Sequence, residues 1–138
     1  MGDRPSDRVK ALGISLGGAV VMGSGIMGEL GIRESDDIDL MLEERVFEGL
    51  ASLDGWSRIE RDGREIFVHD EHKVEAWRSW VAPGGSLVDF AAILPQTVVI
   101  HDVRFATLEY VREWKQWYNR DKDIADVALI DEYVELNR

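Results

Sequence analysis

Apolar and polar positions along the chain switch between two periods, and the switches mark out the elements. The run Ala19-Val20-Val21-Met22 is continuously apolar, with Gly17-Gly18 before it and Gly23-Ser24-Gly25 after it, the pattern of a short buried strand. Upstream, Ser6 is placed to cap a short helix running to Leu12. Residues 26–30 allow one or two helical turns, and Asp37-Ile38-Asp39-Leu40-Met41-Leu42 has the period of two that predicts a second strand. Residues 43–53 carry Val46, Phe47 and Leu50 at helical spacing. Three short strands are expected at 56–60, 65–69 and 73–77. The connections Arg61-Asp62-Gly63-Arg64 and Asp70-Glu71-His72 are turn-sized, so these strands read as an antiparallel meander.

Pro83-Gly84-Gly85-Ser86 is the clearest break, and Ser86 is placed to cap a helix through Ile93. Residues 97–100 read as a strand that leads into a loop around Asp102 to Phe105. The end is helical. Thr107 caps a segment with Leu108, Val111, Trp114 and Trp117/Tyr118 on one face, and Asp121 caps another with Ile124, Val127, Ile130 and Val134 on one face. The expectation is an α+β fold: a small mixed β-sheet flanked by helices, then a C-terminal helical hairpin, in one domain spanning residues 1–138.

Composition narrows the function classes. A chain of 138 residues suits one core and one site, with no room for separate cofactor and substrate domains. Its 16 basic and 27 acidic residues leave a formal charge of -11, which repels phosphate backbones and argues against an autonomous nucleic-acid binder. The absence of cysteine removes disulfides, thiolate nucleophiles and sulfur-ligated metals. No basic and apolar leader opens the sequence, and no stretch nears the ~20 apolar residues of a membrane span. A soluble, cytoplasmic, full-length protein with no membrane partner is expected.

Two chemistries compete for residues 19–44. Gly23-Ser24-Gly25-Ile26-Met27-Gly28 satisfies G-x-G-x-x-G after a strand, and Glu43 stands where a dinucleotide fold places its ribose-binding acid. That fold also needs a crossover helix and further βαβ units, which the glycine- and acid-rich residues 31–37 and the meander do not supply. In the second chemistry, Asp37 and Asp39 project from one face of a strand with Cα atoms roughly 6.5 Å apart. Such a pair can converge on divalent cations and suits two-metal phosphoryl transfer. A Gly-Ser turn beside it lets backbone N–H groups approach phosphate oxygens, with the Ser24 hydroxyl as a further donor. D-x-D pairs mostly decorate solvated edges. This one is set among apolar neighbours, where carboxylates need partners.

Val21-Met22-Gly23-Ser24, twelve residues, then Asp37-Ile38-Asp39-Leu40 resembles the motif of the nucleotidyltransferase (polymerase beta-like) superfamily, with Arg33-x-Ser35 similar to the approach found in small members. Residues 103–109, Lys115 and Arg120-Asp121-Lys122-Asp123-Ile124-Ala125-Asp126-Val127 resemble the ending of single-domain bacterial and archaeal members. These include the toxins of abortive-infection type IV toxin–antitoxin pairs. The resemblance spans about residues 18–130.

It implies the nucleotidyltransferase fold and a Mg²⁺-dependent transferase, with Mn²⁺ as an alternate ion, that moves NMP from an NTP such as ATP to a hydroxyl and releases pyrophosphate. Asp37 and Asp39 take the places of the first two catalytic, metal-binding carboxylates. The third is placed at Glu75, with Asp89 and Asp70 as rivals; otherwise Glu75 is a strand position paired to Arg64 or Arg78. Gly23 and Ser24 take the nucleotide-binding turn. Lys122 is placed near the triphosphate, or else pairs with Asp126 along the helix, while Lys115 and Arg120 read rather as structural. Gly25 stands where many small members carry a basic residue, so the triphosphate grip is weaker or comes from elsewhere. An acidic surface favours a small-molecule or protein acceptor over RNA. The acceptor is expected at a shallow site or against a second subunit, which points to a homodimer or a cognate antitoxin-like partner. The alternative is a catalytically inactive relative serving as a binding or regulatory module. His69 and His72 have no third ligand in view and read as solvated, Trp114 and Trp117 as packing residues, and Trp77 or Trp80 as a wall of the site.

Overall fold

The structure is a computed structural model that describes residues 4–138. Its elements in chain order are α1 (Pro5–Lys10), β1 (Ala19–Met22), α2 (Gly25–Glu29), β2 (Ile38–Leu42), α3 (Glu44–Gly49), β3 (Trp56–Arg61), β4 (Arg64–His69), β5 (Val74–Trp77), β6 (Ser79–Val81), β7 (Leu87–Asp89), α4 (Phe90–Ile93), β8 (Thr97–Ile100), β9 (Val103–Ala106), α5 (Leu108–Tyr118) and α6 (Asp121–Leu136). Seven strands form one mixed sheet in the order β3-β4-β5-β2-β1-β9-β8, and β6 pairs with β7 in a separate hairpin. The expected α+β class, with a mixed sheet flanked by helices and a C-terminal helix pair, is what the chain adopts.

The hydrophobic pattern explains the order. All of β1 is buried, and β2 is buried except at Asp39, so these two strands must lie mid-sheet with both faces covered. The meander β3-β4-β5 extends to one edge, where β3 exposes Ser57, Arg58, Glu60 and Arg61 to water, and charges on an edge strand discourage pairing with another chain. The core gathers Leu40, Phe67, Ala76 and Phe105 from the sheet, with Phe47 edge-on to Phe67 at 5.0 Å. No helix among the described residues is long and apolar enough to cross a membrane.

Several local expectations change. The segment expected as a loop around Asp102 to Phe105 is strand β9, which runs parallel to β1 with Phe105 opposite Val21. His101 and Asp102 take φ of 51° and 70°, a tight reversal that lets β8 and β9 pair without glycine. Ser6 caps nothing. Pro5 opens α1, and the buried Ser6 donates from its backbone N and its Oγ to the Glu29 carboxylate, at 2.9 and 2.7 Å. Ser86 likewise gives way to Asp89, whose carboxylate accepts from Ala92 N at 3.0 Å and caps α4. Thr107 caps α5 as the sequence predicts, accepting from Tyr110 N at 3.2 Å. β1 and β2 are antiparallel and joined through a five-residue α2, which no βαβ dinucleotide fold allows.

Candidate active site

Strand register builds the acidic half of the site. Asp39 lies opposite Met22 on one side, where β1 and β2 are antiparallel, and opposite Glu75 on the other, where β2 and β5 are parallel. Residues paired across neighbouring strands point to the same face, so Asp39 and Glu75 stand side by side on strands about 4.8 Å apart. Asp37 lies just before β2 and is exposed. Burial, and then the nearby Glu75 charge, push the Asp39 carboxyl up from 3.8 to about 6, with the Asp37 charge adding to the rise. The Trp77 indole N–H tempers the shift but makes no hydrogen bond of normal geometry and is left as a buried donor.

Glu75 pairs with Arg61 rather than with Arg64 or Arg78. Arg64 donates to the Ser79 carbonyl at 2.6 Å and lies over the Trp77 ring, and Arg78 is held by Glu44, Glu48 and Glu65. Of the other carboxylates considered, Asp89 is committed to its cap, and Asp70 is exposed in the turn after β4.

The Gly-Ser turn builds the other half. Gly23 sits at φ 59°, a conformation that favours glycine, and a Cβ there would touch Asp39 Oδ2 and Trp80 at 3.7 Å. Its neighbour Ser24 presents Oγ to two cations, accepting from Arg33 Nη2 at 2.9 Å and from Lys115 Nζ at 2.9 Å. Both cations also grip Asp126. Arg33 donates through Nε at 2.7 Å and Nη2 at 2.8 Å, and Lys115 Nζ lies 2.9 Å away. Burial works to raise the Asp126 pKa, but these two partners outweigh it and bring the carboxyl down to about 2. Gly25 supplies no cation after Ser24; Arg33 and Lys115, distant in sequence, stand there.

This network shifts the expected face of α6, keeping Ile130 buried and Val127 half-buried but turning out its two ends. Ile124 and Val134 are 54% and 45% exposed, while Asp123, Asp126 and Ile130 are buried. Asp123 also performs the capping expected of Asp121, accepting from Arg120 N at 3.1 Å and Arg120 Nε at 2.6 Å. Lys122 does not pair with Asp126, which Arg33 and Lys115 already occupy. It lies exposed on the rim of a cavity of about 160 Å³. Gly23, Ser24, Asp39, Trp80, Trp114 and Lys115 also line this cavity. Trp80, Trp114 and Tyr110 form its aromatic wall, with successive ring centroids 5.9 and 5.5 Å apart. Asp37, Glu75 and Arg61 line a separate open groove that Asp39 does not line. Trp114 is a packing residue, as expected, but Trp117 is 47% exposed.

No family model matches the chain, and no curated protein matches it. Among solved structures, an antigenic nucleotidyltransferase-like protein from Paracoccidioides brasiliensis is similar to it at 17% identity and a TM-score of 0.47, over 92% of this chain and 72% of that one. So distant a likeness carries no argument about chemistry.

The structure brings Asp39, Glu75, Gly23 and Ser24 to one end of the central strands, with Asp37 and Lys122 at the edges. Trp80 lines the cavity as expected of it or Trp77, and the structure adds Arg33, Lys115 and Asp126, whose convergence lies in tertiary contacts. One signal for them was present. Asp123, Asp126 and Ile130 share a helical stripe, and two acids beside a buried isoleucine require cations from elsewhere. The histidines also differ from expectation. His69 is buried, and Glu71 supplies the third donor expected to be missing beside His69 and His72.

Proposed function

We propose that the protein is a Mg²⁺-dependent nucleotidyltransferase that moves NMP from an NTP to a hydroxyl acceptor. The observation that carries this reading is the in-register Asp39–Glu75 pair beside a Gly-Ser turn whose hydroxyl is held by two cations. The donor set fits the ion. Asp37, Asp39 and Glu75 offer oxygen only, the ligand type Mg²⁺ prefers, and the Asp39 pKa, raised by burial and then by the Glu75 charge, is one that a bound cation would bring down. Bound there, Mg²⁺ would supply charge neutralisation and activation of a hydroxyl.

The chain's own residues take the remaining roles. Gly23 and Ser24 keep side-chain bulk away from the phosphates, and Arg33 and Lys115 offset charge on the leaving pyrophosphate, with Lys122 available at the rim. The aromatic wall offers π-faces for a base. The acidic surface favours a small-molecule or protein acceptor, and a toxin role alongside an antitoxin-like partner belongs to this proposal through the sequence resemblance alone.

The test is transfer of labelled NMP from each NTP to candidate acceptors in Mg²⁺. Activity should fall at least ~1000-fold in Asp39→Asn and in Glu75→Gln, a loss equivalent to ~4 kcal/mol of transition-state stabilisation. Undiminished transfer in either variant refutes the metal assignment. One observation favours a second reading, a binding module without turnover: Arg61 already neutralises Glu75, and the three carboxylates are not drawn into a closed cage. Mg²⁺-dependent NTP binding without transfer to any acceptor, unchanged in Arg61→Ala, would decide for it.

A further inference from the structure

We propose that the turn between β4 and β5 is a binding site for a borderline divalent cation of the Zn²⁺ class, held by His69, Glu71 and His72. Among the described residues this is the one trio of metal-ligating side chains whose donor atoms all lie within 4.8 Å of one another. Two imidazoles and a carboxylate are a donor set that suits Zn²⁺, Cu²⁺ or Ni²⁺, whereas Mg²⁺ prefers oxygen and retains its water. The site is therefore chemically distinct from the oxygen-only carboxylates around Asp39, and it stands whether or not the protein is a transferase.

The surroundings hold two of the three ligands in place. The His69 ring is buried edge-on against Trp56 at 5.1 Å, and the His72 ring lies 4.9 Å from it. Within the turn, His72 N donates to His69 Nδ1 at 3.4 Å, a long bond that a cation on this nitrogen would replace, and Lys73 N donates to the Asp70 carbonyl at 3.3 Å. The chain at its end is clamped by Arg8 Nη2, which donates to the His72 carbonyl at 2.6 Å and to the Asp36 carbonyl at 2.8 Å, and by Ile38 N, which donates to the Lys73 carbonyl at 2.9 Å. Nearby cations are already engaged, Arg8 on these carbonyls and Lys73 with Asp36 at 3.5 Å. Glu71 is exposed and forms no ion pair among the described residues, so its carboxylate is free to turn inward. Zn–N and Zn–O bonds of about 2.0–2.2 Å require donor atoms roughly 3.3 Å apart, a closure of at most about 1.5 Å, within reach of rotation of the Glu71 and His72 side chains. A water would complete the coordination. Because Lys73 O receives the first β2 amide, a cation here also braces the register that sets Asp39 beside Glu75.

The test uses the untagged, metal-stripped full chain competing for Zn²⁺ with a chromophoric chelator. One equivalent should bind, and millimolar Mg²⁺ should not displace it. His72→Ala should weaken binding by more than ~100-fold, beyond what loss of an outer-sphere partner costs, and Glu71→Gln should weaken it measurably, while Asp39→Asn should leave it intact. Co²⁺ loaded in place of Zn²⁺ should give visible bands of low coordination number that vanish in His72→Ala. The backbone contacts of residue 72 survive that change; if the variant nonetheless fails to fold by circular dichroism, the exposed Glu71→Gln carries the test. No Zn²⁺ binding by the wild type, binding that both ligand variants leave unchanged, or binding lost in Asp39→Asn would each overturn the proposal.

Discussion

Replacing Asp39 by Asn reads the electrostatics of the acidic cluster with no ligand present. The folded protein holds this carboxyl at about 6 against an ordinary 3.8, chiefly through burial and then through Glu75. At about 1.4 kcal/mol per pH unit, the ionised form costs the folded state up to ~3 kcal/mol that the unfolded chain does not bear. The sign follows from the direction of the shift. Below pH ~4 both states are protonated and there is no penalty; as pH rises from ~4 to ~6 the unfolded state ionises first and stability falls; above ~6 the penalty is constant. Asn keeps the volume and cannot ionise. In chelator-containing buffer, urea unfolding should give equal stabilities for the two proteins near pH 3. By pH 7 the variant should be more stable by up to ~3 kcal/mol, with an unchanged m-value. A variant less stable at pH 7, or a difference that does not vary between pH 3 and 7, would refute the reasoning.

Two further substitutions probe the other half of the site. Asp126→Asn leaves Arg33 and Lys115 facing a neutral amide and should cost ~3 kcal/mol in urea unfolding at pH 7; since the Asp126 pKa is lowered to about 2, its contribution is present above pH ~4 and lost toward pH 2, so the difference should shrink on acidification. Gly25→Ala drives a Cβ into the Val21 side chain beneath α2 and should cost about 1–3 kcal/mol, read as a lowered melting temperature; an unchanged melt would show that the turn can shift freely.

What the sequence made legible depended on whether the information was local. The apolar run of β1, the alternation of β2, the turn-sized links of the meander and the Thr107 cap are each set by neighbours a few residues apart, and each appears as read. Strand β9 escaped because its turn uses His101 and Asp102 at positive φ, without the glycine that usually marks such a reversal. The β6–β7 hairpin escaped because the glycines at 84 and 85 read as a break between elements although they join two paired strands. In the site, the strand position of Asp39 was legible from alternation, while Glu75 stands out from Asp89 and Asp70 only through the family resemblance; the parallel β2–β5 register that sets it beside Asp39 is a tertiary fact. Arg33 and Lys115 were not legible, since their pairing with Asp126 spans 93 residues for the arginine and their meeting at Ser24 depends on α5 and α6 folding back on the sheet.

The same alternation ties the chemistry to the fold. Ile38 and Leu40 are fully buried, and across the β2–β5 ladder they meet Val74 and Ala76, so one face of these strands is committed to the core. Asp39 and Glu75 occupy the opposite face as a consequence. A slip of one residue in β2 would turn Asp39 into that apolar face and expose Leu40, stranding an ionisable carboxyl at a cost of several kcal/mol beside the lost burial of two aliphatic side chains. Register is thereby enforced by hydrophobic burial, and the two carboxylates need no attraction of their own to be brought together. Their repulsion, visible in the raised Asp39 pKa, is imposed by the packing behind them. Arg61 pairs directly with Glu75 and offsets Asp39 only weakly from a distance, which leaves Asp39, on the wall of the cavity, as the carboxylate with most to gain from a cation.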